Sequence, residues 1–267
     1  MKDMEKSVIL VVEDEDDYRW LITSGLESDF KVLEAENGKQ GLEIAMESIP
    51  DLVVTDLMMP AMGGIELCRI LKETPDTSHI PVVMLTAKTS VDSQIQGLET
   101  GADDYVTKPF NMILLKTRIQ NLLETRRLLR EQFRGLQEIT DVQDTVELET
   151  LVAPQLQNRV DREFWGKMCD VLRQRYSDID FVIDGMANEL GMSQRSLQRK
   201  VKALCDCTPV QLIAEYRLRQ AVKLLHDKSK HVTDVAYEVG FGDLSHFYRL
   251  FKKEFGKNPT EYRNNEF

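Results

Sequence analysis

Short apolar runs alternate with amphipathic stretches over residues 7–125. The run containing Leu52, Val53 and Val54 is typical of a strand that is buried on both faces of a sheet. The runs are SVILVV, KVLEA, DLVVT, PVVMLT and YVTK, and amphipathic stretches separate and follow them. Strands that alternate with helices form parallel sheets. The sequence therefore predicts an α/β doubly wound, five-stranded parallel sheet with helices on both faces.

Polar side chains stand where these predicted strands end. Glu13 and Asp14 follow the first strand, Asp56 follows the third, and Thr86 and Lys108 close the fourth and fifth. The carboxyl ends of parallel strands meet at one edge of a sheet, which is where ligands bind in open α/β folds. We therefore expect these side chains to converge. Taken alone, Asp56 fits equally well as a cap of the following turn, a common role of aspartate.

A crevice with this composition favours phosphoryl chemistry. Three carboxylates in one crevice repel each other unless a hard cation lies among them, and oxygen ligands with room for water suit Mg²⁺. Lys108 and the Thr86 hydroxyl add donors for an incoming anion. The arrangement fits phosphoryl transfer to a carboxylate, in which Asp56 attacks while Lys108 and the cation offset negative charge.

The net charge of −11 is unevenly distributed along the chain. The first half is acidic, whereas residues 191–263 contain more Lys and Arg than Asp and Glu. A basic region in an acidic protein indicates a surface for a polyanion. Basic residues on a solvated helix face would give the same composition.

Two helix-turn-helix patterns occupy this basic region, at residues 182–204 and 232–255. Ser193 is expected to cap the second helix of the first unit, and a turn at residues 240–243 divides the second unit. The stretch between the units, which begins at Pro209, predicts one continuous helix. Such a spacer could hold the two second helices about one DNA turn, roughly 34 Å, apart.

Four ordered motifs closely resemble the receiver (CheY-like, flavodoxin-like) domain of two-component response regulators. They are VVEDEDD, TDLMMPAMGG, MLTAKTS and GADDYVTKPF. The resemblance implies that Asp56 accepts a phosphoryl group from the phosphohistidine of a sensor histidine kinase. It also implies that Asp14, Asp56 and the Met58 carbonyl hold Mg²⁺, with Glu13 acting through water.

The same resemblance assigns roles to three further residues. Thr86 and Tyr105 match the switch pair of the family, and Lys108 matches its phosphate-binding lysine. The family's bond between this lysine and the following proline, here Pro109, is commonly cis. One departure lies at residues 60–64, where PAMGG stands in place of the usual aspartate-glycine pair. This departure affects the expected stability of the loop rather than phosphorylation.

Residues 181–263 resemble the AraC-type DNA-binding domain. LGMS at 190–193, AYEVGF, FYRLFKKEFG and PTEYR carry the resemblance, which implies a transcription regulator of duplex promoter DNA. The candidate DNA contacts are Gln194, Arg195, Ser196, Gln198, Arg199, Ser245, His246, Arg249, Lys252 and Lys253. Those expected at base edges are Gln194, Arg195, Gln198, His246 and Arg249, and most of the remaining basic side chains should contact phosphates.

These interpretations divide the chain into a receiver domain at 1–125, a helical linker at 126–165 and an AraC-type DNA-binding domain at 166–267. Residues 141–154 are the predicted flexible joint. Phosphorylation is expected to favour a homodimer. The family resemblance implies that this dimer uses residues 90–101, 105–108 and 111–123, but the sequence itself does not choose between that face and another. No apolar run suits a signal peptide or membrane span, so we expect a cytoplasmic protein. The domain order also resembles the cytoplasmic part of hybrid membrane sensors, and a stand-alone regulator would show the same order.

Two rival hypotheses come from other functional classes. In the first, the receiver is a phosphate-independent pseudo-receiver that serves as an interaction module on a DNA-binding protein. The retention of Asp14, Asp56, Thr86 and Lys108 argues against it. In the second, the domain is a Mg²⁺-dependent phosphohydrolase and thus an enzyme. That reaction needs a second acid or base, and Met58 stands two residues after Asp56, where such a group would serve.

Overall fold

The computed structural model describes residues 6–87, 101–135, 156 and 158–266. The chain forms two compact units. The first comprises Met1–Leu129 with Asn158–Asp161, and the second comprises Arg130–Gln157 with Arg162–Phe267. Each unit is described by itself.

The first unit contains a five-stranded parallel sheet with the strand order β2-β1-β3-β4-β5, which confirms the predicted fold. Its elements are β1 (Val8–Val12), α1 (Asp16–Leu26), β2 (Lys31–Ala35), α2 (Gly38–Ser48), β3 (Leu52–Asp56), α3 (Gly64–Glu73), β4 (Val82–Ala87), β5 (Asp104–Lys108) and α4 (Met112–Gly135), and α4 ends in the residues grouped with the second unit. The helix expected between β4 and β5 falls on residues outside the described part of the chain.

Both faces of this sheet are buried, because successive residues of a strand point to opposite sides. Val11 packs on one face with Ile22 of α1 and Ile119 of α4. Val12 packs on the other face with Leu67 of α3. Each fully buried aliphatic side chain stabilises the fold by roughly 1.5–3 kcal/mol. The continuous apolar runs in the sequence follow from this two-sided burial.

The register of the strands brings their ends to one place. Val12 of β1 pairs with Thr55 of β3, so Glu13 and Asp56 follow side by side. On the far side of β3, Asp56 pairs with Leu85. Parallel strands run in the same direction, so the residues that follow them leave the sheet at a common edge.

The second unit is helical in its described residues. Its helices are α5 (Arg159–Arg175), α6 (Ile183–Glu189), α7 (Gln194–Cys205), α8 (Pro209–Leu225), α9 (Val232–Glu238), α10 (Leu244–Phe255) and α11 (Pro259–Glu266), and α5 begins in the residues grouped with the first unit. The two predicted helix-turn-helix units are α6–α7 and α9–α10. Thr208 caps α8 through a capping box with Gln211, and Pro209 stands in the first turn. The 17 residues of α8 span about 26 Å.

The predicted start of the DNA-binding domain at residue 166 falls inside α5. Phe164 and Trp165 lie in the same core as Met168 and Leu172. We therefore propose that the domain begins before Phe164. The predicted joint at residues 141–154 lies outside the described residues. Within the described residues, every helix is too short or too polar to span a membrane.

Candidate functional site

Three carboxylates converge at the carboxyl edge of the sheet, as the sequence predicts. Glu13 and Asp14 follow β1, and Asp56 ends β3. One oxygen from each of the three groups lies within 4.8 Å of the others. Glu13 is fully buried, whereas Asp14 and Asp56 are half-buried. The crevice therefore opens toward solvent at Asp14 and Asp56 and is closed at Glu13.

Lys108 at the end of β5 bridges two of these carboxylates. Its Nζ lies 2.8 Å from Glu13 Oε2 and 3.1 Å from Asp56 Oδ1. The peptide bond from Lys108 to Pro109 is cis, the isomer that the family resemblance implies. The Tyr18 ring of α1 lies beneath the same ammonium, with 4.7 Å between Nζ and the ring centroid. Sequence reasoning missed Tyr18, because an aromatic residue in an amphipathic helix gives no sign that it faces a lysine 90 residues away.

Burial and ion pairing oppose each other in this crevice. Burial raises the pKa of Glu13, the hydrogen bond from Lys108 lowers it, and the nearby Asp56 raises it again, so that the net direction is upward. Burial alone would lower the pKa of Lys108, but its hydrogen bonds to Glu13 and Asp56 raise it above the ordinary value. At neutral pH the lysine is consequently held as a cation between two carboxyl groups.

The residues of the crevice fit a divalent cation. Glu13 Oε1 is buried and has no hydrogen-bond partner among the described residues. Lys108 supplies one positive charge beside the carboxylates of Glu13, Asp14 and Asp56. An unsatisfied buried oxygen and an excess of negative charge are both relieved by a hard cation with oxygen ligands, such as Mg²⁺.

The turn after β3 requires glycine at residue 64. A Cβ atom on Gly64 would lie 2.0 Å from the carbonyl oxygen of Asp56. The backbone at the end of β3 is further fixed by the Thr55 hydroxyl, which donates to the same carbonyl at 3.0 Å. Close packing at Gly64 therefore holds the start of α3 against the residue that carries the Asp56 carboxylate.

The departure at residues 60–64 has two structural consequences. Ala61 adopts a φ of 66°, in the left-handed region that favours glycine. Gly63 occupies the N-cap of α3, where it has no side chain to accept a hydrogen bond. An aspartate at an N-cap would satisfy a backbone N–H there. The expected effect on loop stability remains a prediction.

The two candidate switch residues lie on β4 and β5. Thr86 is buried, and its hydroxyl donates to the carbonyl of Ala87 at 3.2 Å. Tyr105 is half-buried and pairs with Met84 across the two strands. Met58, whose carbonyl is a predicted metal ligand, is a residue that is 76% exposed in the turn after β3. The movement of the switch pair stays a prediction.

The candidate DNA contacts stand on the outer faces of α7 and α10. Those that are exposed are Gln194, Arg195, Gln198, Ser245, His246, Arg249, Lys252 and Lys253, whereas Ser196 and Arg199 are half-buried. Ser193 caps α7 as predicted, by accepting a hydrogen bond from Ser196 N at 3.1 Å. The apolar sides of the helices, represented by Leu197 and Phe247, are buried.

Two charged residues of these helices have structural roles that the sequence does not reveal. Lys200 of α7 is fully buried, and its ammonium lies 5.8 Å from the centroid of the Phe164 ring. Asp243 caps α10, accepting hydrogen bonds from Ser245 N at 2.8 Å and His246 N at 3.4 Å. The negative charge of Asp243 therefore lies at the start of α10.

Comparison with known families gives two matches in this chain. The response regulator receiver domain matches residues 9–120, and a helix-turn-helix domain matches residues 186–265. The first match contains the carboxylate crevice. The second contains the whole α9–α10 unit and the α6–α7 unit from Met186 onward. The two matches lie in different compact units.

Individual relatives match either nearly the whole chain or about half of it. Histidine kinase P4 of Formosa agariphila is 37% identical over 260 residues, which are 97% of this chain and 18% of that protein. Phosphate regulon transcriptional regulatory protein PhoB of Pseudomonas aeruginosa is 46% identical over 121 residues, 45% of this chain and 53% of that protein. This chain thus spans less than two thirds of either relative.

A solved structure is also similar in sequence to part of this chain. The signal receiver domain of a signal transduction histidine kinase from Syntrophus aciditrophicus is 34% identical, with a TM-score of 0.43. The similarity covers 44% of this chain and 90% of the solved domain.

Proposed function

Because residues 9–120 match the response regulator receiver domain and residues 186–265 match a helix-turn-helix domain, we propose that this chain is a phosphorylation-controlled transcription regulator with an AraC-type DNA-binding domain. In this proposal, Asp56 accepts a phosphoryl group from a histidine kinase, and the two helix-turn-helix units bind promoter DNA. The observation that carries the proposal is the ammonium of Lys108, which bridges Glu13 and Asp56 in a crevice with three carboxylates.

The acceptor reaction uses groups that are already in contact. A carboxylate oxygen of Asp56 attacks the phosphorus of a phosphohistidine, so that a P–O bond forms as the P–N bond breaks. Lys108, 3.1 Å from Asp56 Oδ1, offsets negative charge on the arriving group. Asp14, Asp56 and the Met58 carbonyl would hold Mg²⁺, with Glu13 acting through water, and the bound cation would offset charge on the phosphoryl oxygens.

The response requires that the phosphoryl group bind one conformation of the receiver more favourably than another. Thr86 is the group proposed to turn toward the phosphoryl oxygens, and Tyr105 is the ring proposed to move inward with it. The proposed dimer interface comprises residues 105–108 and 111–123 together with residues 90–101, of which 90–100 lie outside the described part of the chain. A dimer would place two DNA-binding domains on directly repeated half-sites.

The kinase and the compartment are also part of the proposal. A protein named histidine kinase matches 97% of this chain, which supports a histidine kinase as phosphoryl donor, either in the same polypeptide or as a separate partner. Promoter DNA as the target places the regulator in the cytoplasm. The family assignments support regulation, rather than catalytic turnover, as the role of the chain.

DNA binding with and without activation tests the proposal. Fluorescence anisotropy at fixed salt would compare the wild type, with and without beryllofluoride and Mg²⁺, on sequences selected from a promoter library. Asp56→Ala is the matched control, because it lacks the acceptor carboxylate. We expect the phosphoryl mimic to tighten specific binding in the wild type only. Equal binding in all samples would instead support the phosphate-independent pseudo-receiver.

A further inference from the structure

The two helix-turn-helix units have separate cores, and α8 passes from one core to the other. Leu212 and Ile213 of α8 lie in the core that contains the α6–α7 unit, called the first core. Leu218 and Ala221 of the same helix lie in the core that contains the α9–α10 unit, called the second core. Arg217 is therefore placed where the first core ends and the second begins.

The guanidinium of Arg217 binds the segment between α5 and α6. Its Nε donates to the carbonyl of Tyr176 at 2.7 Å. Its Nη2 donates to the carbonyls of Asp178 and Phe181 at 2.6 and 3.2 Å. The Tyr176 side chain packs against the second core, whereas the Phe181 side chain lies in the first. The guanidinium of Arg217 thus joins backbone carbonyls of residues whose side chains pack in the two different cores.

Gly240 brings the turn between α9 and α10 against the guanidinium of Arg217. It is buried, with a φ of 89°. A Cβ atom at this position would lie 2.4 Å from the carbonyl oxygen of Tyr176 and 2.9 Å from Arg217 Nε. The corresponding glycine of the α6–α7 unit, Gly191, also has a positive φ of 66°, but a Cβ atom there would meet nothing within 4 Å. Close packing is thus required at Gly240 and absent at Gly191.

The chemistry of arginine suits this position. Its planar group presents several donors in a fixed arrangement, whereas a lysine ammonium acts as a point charge. Burial lowers the pKa of Arg217, and Asp178 opposes that shift, while the group stays cationic at neutral pH. Replacement by lysine keeps the charge but cannot reproduce the fork that holds three carbonyls.

We propose that Arg217 and Gly240 form a joint that fixes the orientation of α10 relative to α7 and so sets the DNA spacing that the domain accepts. Arg217 is a positioning residue in this proposal, since it acts through the backbone of residues 176–181. α10 begins four residues after Gly240, so a rotation at the joint is passed directly to α10, which carries the second set of candidate DNA contacts. The consequence for DNA rests on the proposed function, but the rigidity of the joint does not.

A distance measurement in the free protein tests the joint itself. Spin labels attached through non-canonical amino acids at the exposed positions Lys202 and Lys253 would report the separation of α7 and α10 by pulsed electron paramagnetic resonance. We expect a narrow distance distribution for the otherwise unchanged protein and a broader or displaced one for Arg217→Lys and Gly240→Ala. Gly191→Ala and Lys223→Arg are the controls and should leave the distribution unchanged.

A second measurement tests the effect on DNA. Unlabelled protein would bind its library-selected site and derivatives with one base pair added or removed between the two contacted segments. We expect the wild type to prefer the original spacing by roughly tenfold, and Arg217→Lys to reduce that preference to about twofold. Circular dichroism of each variant would verify that it is folded.

Each outcome has a defined meaning. Unchanged distance distributions in folded Arg217→Lys and Gly240→Ala would overturn the joint, whether or not the chain binds DNA. An equal loss of affinity at all spacings would overturn the role in spacing. The joint would be supported, and the proposed function contradicted, by a third outcome. In that outcome the distance distribution is narrow in the wild type and broad in the variants, and no sample binds DNA.

Discussion

The receiver crevice and the DNA-binding faces hold their candidate residues in opposite ways. In the crevice, the ammonium of Lys108 lies within 3.1 Å of Glu13 Oε2 and Asp56 Oδ1, and Glu13 is fully buried. On α7 and α10, candidates such as Arg195 and Arg249 are exposed. The crevice is assembled by contacts inside the protein, whereas the helix faces depend on contacts with a partner.

This difference determines how each region should respond to substitution. Groups that contact each other act as a unit, so the loss of one member removes the function of all. Exposed residues on a binding face contribute separately, and each carries a part of the affinity. The crevice should therefore fail as a whole, while the DNA surface should weaken in steps.

Loss of the acceptor carboxylate gives the largest expected effect. Asp56→Asn should abolish stable phosphoryl incorporation, because the amide lacks the nucleophilic oxygen anion that forms the acyl phosphate. Intact-mass spectrometry after treatment with a small-molecule phosphodonor and Mg²⁺ would measure it. Asp17→Asn, on the exposed side of α1, is the control and should be phosphorylated normally. Full incorporation in Asp56→Asn would place the acceptor elsewhere.

The tight turn after β3 gives the next largest effect. Gly64→Ala should destabilise the receiver by about 1–3 kcal/mol, because its Cβ would lie 2.0 Å from the backbone oxygen of Asp56. Gly25→Ala is the matched control in α1, where the three atoms nearest to the new Cβ belong to the flexible side chain of Met112 rather than to backbone. Urea unfolding would compare the two. Equal stabilities would show that the crevice tolerates movement of this turn.

Single residues of the DNA faces should have graded effects. Arg195→Ala or Arg249→Ala should each weaken specific binding by about 1–3 kcal/mol if the side chain contacts a base edge. Lys252→Ala should weaken binding to all sequences and reduce the salt dependence by about one charge, as expected of a phosphate contact. Anisotropy titrations over several salt concentrations would separate the two classes. A complete loss from one substitution would contradict the graded behaviour.

Substitutions at Asp243 separate two effects of this residue on α10, the capping of the helix and the negative charge near the expected DNA surface. Asp243→Ala should destabilise the domain by about 0.5–2 kcal/mol, because Ser245 N and His246 N lose their acceptor. Asp243→Ser keeps a capping oxygen and removes a negative charge near the expected DNA surface. We expect near-native stability and tighter DNA binding for this variant. Weaker DNA binding by a stable Asp243→Ser would indicate that the carboxylate contacts a base.

Glu254 of α10 gives the smallest expected effect and a defined pH dependence. Burial raises its pKa above the ordinary value of 4.5. The free-energy cost of ionising buried Glu254 is therefore absent below the unfolded-state pKa and fully present above the folded-state pKa. The contribution of Glu254 to stability consequently falls as the pH rises through this interval. Glu254→Gln should stabilise the domain at neutral pH by less than about 1 kcal/mol. Thermal unfolding at acid and neutral pH would detect this, and a loss of stability at neutral pH would contradict it.

The sequence predicted the sheet, the helices and the crevice for an identifiable reason. Burial on both faces makes strands apolar throughout, as in Leu52, Val53 and Val54. Burial on one face gives the apolar residues of the helices their spacing of about three to four residues. Parallel strands share a direction, so Glu13 and Asp56 were expected at one edge before any distance was known. The boundary at residue 166 fell inside α5, because helix boundaries and core membership are not set by local composition.

The sequence by itself thus determined which elements form and which residues end the strands, because those features depend on local periodicity. Only the tertiary structure placed Tyr18 beneath Lys108, buried Lys200 and joined Arg217 to the carbonyls of residues 176–181. It also decided that Gly240, unlike Gly191, has no space for a side chain. These features depend on how elements distant in the chain pack together, and local sequence patterns carry no record of that packing.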